Sequence, residues 1–128
     1  MARTLSVSQL VGEVGANLAG LESVWDGSMS DTYAFFRHQA RPDVALAAAL
    51  VESAVALQDL GRTAPEPPQL LLGDLCLARA SRLLAGTHDT ELQVAFAEAV
   101  ERVAAQAAGG PEARELRELL VAAISGRR

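Results

Sequence analysis

The sequence contains no lysine; its 11 basic residues are all arginine. Against them stand 16 acidic residues, for a net charge of -5. The arginines are scattered apart from Arg127 and Arg128, so no basic stripe suited to nucleic acid forms. A single cysteine, Cys76, excludes an internal disulfide and any multi-cysteine metal site, which fits a reducing compartment. His38 and His88 have no second histidine three or four residues on, so capping or surface roles are expected of both. No serine lies in a nucleophile-elbow pattern, and no glycine-rich loop carries a lysine that could cradle phosphate. No run reaches the ~18 apolar residues of a membrane span. Met1-Ala-Arg-Thr-Leu is not followed by the apolar stretch of a secretory signal. A cytoplasmic chain without catalytic or metal-binding residues of its own is expected.

What the sequence does have is alanine and leucine at helical spacing. Half of its 128 residues are apolar, enough for a single helical domain with a core. Ser6-Val-Ser-Gln9 reads as a capping box, and Leu10, Val14, Leu18 and Leu21 mark one face of a first helix. Trp25 to Ser28 breaks that pattern. A short second helix is predicted from Ser30 or Asp31 to about Gln39, with Tyr33, Phe35, Phe36 and Trp25 as core anchors. Pro42 opens a third helix ending near Gly61. It is apolar around most of its girth and should lie mid-bundle or in an interface. Arg62 to Gln69, with its three prolines, reads as a loop. Asp89 or Thr90 caps a fifth helix carrying Leu92, Phe96, Val100 and Val103, stopped by Gly109-Gly110. Pro111 starts a sixth, whose Glu112, Arg114, Glu115, Arg117 and Glu118 form a solvated face opposite Leu116, Leu119, Leu120, Ala123 and Ile124. With no strand signal, the fold class is all-α, a bundle of about six helices.

The fourth helix, from Gln69 to Gly86, is the segment around which the rest is organised. It follows Pro67-Pro68 and ends at a glycine suited to a C-cap. Leu72, Cys76, Ala80 and Leu83 fall at i, i+4, i+8 and i+11, with Leu71, Leu75 and Ala78 alongside and Arg79 and Arg82 at the margin.

Its wording, Leu70-Leu-Leu-Gly-Asp-Leu-Cys-Leu-Ala-Arg-Ala-Ser-Arg-Leu-Leu-Ala, resembles a segment of trans-polyprenyl diphosphate synthases. The similarity continues through Asp89-Thr-Glu-Leu and Phe96-Ala-Glu-Ala-Val-Glu-Arg-Val. Upstream, Ala47-Ala-Ala-Leu-Val-Glu-Ser-Ala-Val-Ala-Leu resembles the helix that ends, in active synthases, at the first Asp-rich motif. In all the resemblance spans roughly residues 42 to 106. Counting on from Glu52, the places of that motif's carboxylates fall near Arg62, Thr63 and Glu66, which cannot hold Mg²⁺ against an allylic diphosphate. The place of a second Asp-rich motif lies beyond Arg128.

A short relative without those motifs is similar to the small subunit of two-component synthases, heptaprenyl and hexaprenyl diphosphate synthase component I. The resemblance implies the N-terminal half of the isoprenoid synthase fold and a non-catalytic subunit that supports a catalytic large subunit. It also implies a part in setting product length, usually for a respiratory quinone such as menaquinone. No cofactor is expected on this chain, Mg²⁺ belonging to the partner alone. The expected partner-binding and channel-wall residues are Val51, Val55, Leu71, Leu72, Leu75, Cys76, Arg79 and Leu83. An apolar helix of this kind asks for a partner. The other readings are a helical scaffold module that self-associates, as a homodimer when alone, and a carrier of an apolar ligand.

Overall fold

The structure, a computed structural model, describes residues 15–58, 67–105 and 113–126. Among these there is no strand: the chain is all-helical. A 3-10 turn, Gly15–Leu18, precedes a nearly continuous helical stretch made of α1 (Glu22–Val24), a π turn (Trp25–Met29) and α2 (Ser30–Arg37). Then come α3 (Pro42–Gln58), α4 (Pro67–Gly86), α5 (Thr90–Ala105) and α6 (Ala113–Ser125). The capping box at Ser6 and most of the expected first helix lie outside the described residues, as do Gly109-Gly110 and Pro111.

The expected break at Trp25-Asp26-Gly27-Ser28 is instead the π turn, and the spacing of large residues explains it. Leu21, Trp25, Met29 and Tyr33 are all buried and each is four residues from the last. Three such steps drift about 120° around a regular helix of ~3.6 residues per turn. A wider π turn takes back much of that drift and keeps all four on the core side. Trp25 and Tyr33 then meet with ring centroids 5.5 Å apart and a tilted geometry suited to aromatic pairs.

α3 is the central element. Val44 to Val51, Ser53 and Ala54 are all buried, so the helix is enclosed around its girth as its apolar circumference predicts. It packs most extensively on α4, then on α2, and also meets α6 and the π turn. Its run Ala45, Ala47, Ala48 and Ala49, all at 0% exposure, lets those neighbours approach closely. Asp43 accepts from the backbone N–H of Val44 at the first turn and from Arg41 Nε, each at 2.8 Å.

Two boundaries differ from the sequence reading, and a third settles between its alternatives. Pro67 and Pro68 are not loop but the first turn of α4, where a missing N–H costs nothing because that donor has no intrahelical partner. Gly86 still belongs to α4; the left-handed residue of the turn that follows it is His88, at φ 57°. Asp89 rather than Thr90 caps α5, its Oδ1 accepting from Leu92 N at 3.0 Å while Thr87 Oγ1 accepts from Asp89 N.

Two helices close the bundle. α5 buries Leu92, Phe96 and Ala99, and α6 buries Leu116, Leu120 and Ile124, spaced i, i+4, i+8 as expected. Arg117 corrects the expected solvated face. Its guanidinium grips Glu52 of α3 with both arms, Nε to Oε2 at 2.9 Å and Nη2 to Oε1 at 2.8 Å. Its Cζ also lies 4.5 Å from the centroid of the Phe35 ring, a cation–π distance. One side chain thereby ties α6 to α3 and α2.

Candidate functional site

The buried line of α4 is Gly73, Cys76, Ala80 and Leu84, at i, i+3, i+7 and i+11. The expected line through Leu72 and Leu83 is therefore displaced around the helix, and both of those leucines are half-buried at its edges. At Gly73, α4 meets Gln58 of α3: a Cβ there would lie 2.7 Å from Gln58 Cγ, so any larger residue would have to displace that side chain. Gln58 Nε2 crosses that gap and donates to Asp74 Oδ1 at 3.0 Å. The Gly-Asp pair of the helix is thus a docking detail of the α3–α4 contact.

The eight expected partner residues divide accordingly. Val51 and Cys76, at 3% and 0% exposure, lie within the bundle. Val55 is half-buried on α3. Arg79 donates from Nη1 to the Asn17 carbonyl at 2.7 Å, pinning the 3-10 turn to α4. Half-buried Leu75 reaches the residues just after that turn, its Cδ2 3.5 Å from where a Cβ on Gly20 would stand; Gly20 itself needs its freedom at φ 85°. Leu72 lines an open cleft of about 310 Å³ beside the π turn, with Val24, Gly27, Ser53 and Leu57. Leu71 alone stands clear, at 70% exposure.

Beside Leu71 lies Leu70, 41% exposed. Asp74, Ala78, Arg82 and Ala85 continue the outward face, all of them exposed. This face lies opposite the buried line and follows from the same helical period. The sequence reading placed Arg82 at the margin and Ala78 beside the core; the displaced burial of α4 turns both to solvent.

Burial governs the chemistry of Cys76. It raises the thiol from 9.0 to about 11, with the nearby Arg79 charge opposing, so the group stays a neutral thiol near pH 7. Among the described residues no group of three or more His, Cys, Asp or Glu could hold a metal ion, and no helix is long and apolar enough to cross a membrane. Arg62, Thr63 and Glu66 lie outside the described residues. A second cleft of about 200 Å³ opens between α4 and α5 over Val51, walled by Leu77, Leu84, Phe96 and Val100. Both clefts open to solvent and neither is a closed chamber for a long apolar ligand. What the arrangement offers is a rigid helix with two outward leucines.

Comparison with known protein families, with curated proteins and with solved structures finds no match.

Proposed function

We propose that this chain is a non-catalytic subunit that docks, through the outward face of α4, onto the catalytic subunit of a trans-polyprenyl diphosphate synthase. The observation that carries the docking is the exposure of Leu71 and Leu70 on a helix whose other leucines are buried or half-buried. Large apolar residues standing out from a packed scaffold are the usual core of a protein interface. The prenyl assignment rests on the resemblance of residues 42 to 106.

In this reading the catalytic subunit supplies both Asp-rich motifs and the Mg²⁺, and this chain supplies a wall. Leu71 and Ala78 face the partner and would border the channel for the growing chain. Val51 and Cys76 act from behind, through the packing of α3 and α4. Product length would then depend on side-chain size along α4, in the complex and not in this chain alone.

Co-expression with the catalytic subunit from the same genome tests the proposal. Stable one-to-one co-purification with restored elongation is expected. Two subunits that elute apart, or elongation indifferent to this chain, would overturn it.

A further inference from the structure

The outward face of α4 is complementary to itself. Asp74 lies four residues before Ala78 and Arg82 four residues after it, and all three are exposed. Leu71 and Ala85, also exposed, lie seven residues to either side. Charges and sizes are thus arranged in opposite order about one small residue.

We propose that two copies of this chain pair antiparallel through α4, crossing at Ala78 on a two-fold axis. Each Asp74 then faces Arg82 of the second copy, so the pairing forms two ion pairs by symmetry. Each Leu71 lies over the small Ala85 of the other helix, and Ala78 meets its counterpart, which permits close approach of the two axes. A parallel pairing would set Asp74 beside Asp74 and Arg82 beside Arg82, and like charges reject it. Arg79 takes no part, since the Asn17 carbonyl already holds it. A second copy is the occupant because the pattern matches its own reverse. This inference stands on α4 alone and not on the prenyl reading. If both hold, self-pairing and capture of the catalytic subunit compete for one face.

Sedimentation velocity on the full chain is the test. The wild type is expected to dimerise, and Asp74→Arg and Arg82→Asp should each be monomeric at concentrations where it does, their association weakened at least tenfold. Arg82→Asp is the cleaner variant, because Asp74→Arg also loses the bond from Gln58. An equimolar mixture of the two should recover a dimer, since each arginine again meets an aspartate, and the double reversal should do the same. Unchanged helical circular dichroism of Arg82→Asp separates lost pairing from lost folding. A wild type that stays monomeric to about 100 µM, a dimer indifferent to Arg82→Asp, or single variants that fail to recover on mixing would overturn the proposal. None of these results depends on a prenyl synthase, so the two proposals can fail separately.

Discussion

Two residues show how surroundings set side-chain chemistry in this chain. The Cys76 thiol is raised from 9.0 to about 11, so the folded state holds its proton more tightly than the unfolded chain. Its contribution to stability is therefore complete below pH 9.0 and is lost as pH rises through about 11. The urea midpoint should fall over that window, and Cys76→Ala should fall less steeply; parallel declines would contradict this. In native protein near pH 7 a thiol reagent should label Cys76 only as fast as the chain unfolds. The other case is Arg117, held above its usual range chiefly by its hydrogen bond to Glu52, so the guanidinium keeps its charge at neutral and alkaline pH. Its side chain is 36% exposed and that of Glu52 13%, which places the pair between surface and core. Glu52→Gln should cost about 1 kcal/mol in urea denaturation, and Arg117→Lys should cost a similar amount by losing the two-armed grip. Retention of full stability by Arg117→Lys would show that charge alone matters. The sequence displays Arg117 among alternating glutamates and so suggests a solvated face. No local spacing encodes a partner 65 positions earlier, and that contact was not legible.

At the scale of elements, the α3–α4 contact turns on Gly73. Glycine inside a helix costs about 1 kcal/mol relative to alanine, so Gly73→Ala would be stabilising if propensity decided. The new Cβ would lie 2.7 Å from Gln58 Cγ and displace that side chain from Asp74. Gly73→Ala should therefore leave stability unchanged or lower it by up to about 1 kcal/mol, while in a Gln58→Ala background it should raise stability by a similar amount. The same sign in both backgrounds would contradict the fit described here. Helix positions were largely readable, because prolines, caps and apolar periodicity are local signals. Pro42 and the acidic cap at Asp89 mark α3 and α5 as expected. Pro67 and Pro68 misled because proline breaks a helix interior but suits its first turn. The four-residue spacing from Leu21 to Tyr33 holds the clue to the π turn, yet with Gly27 and Ser28 between, it reads as a break.

For the whole molecule, the all-helical class and the enclosed position of α3 were visible in composition and periodicity. The interacting face was not, because a helix apolar on several sides does not say which side its own bundle takes. α4 meets Gln58 of α3 at Gly73, on the side that buries Cys76, and Leu71, Ala78 and Arg82 lie on the opposite, outward side. Of the residues expected at a partner surface, Leu71 is the one left largely uncovered, and the account of function rests on it. The most direct test is co-purification of Leu71→Asp with the prenyl synthase catalytic subunit, with the variant's own helicity verified first. Leu71 is 70% exposed, so its loss should spare the fold. The account expects binding at least tenfold weaker than wild type and a matching loss of elongation. Binding and elongation both equal to wild type would contradict it.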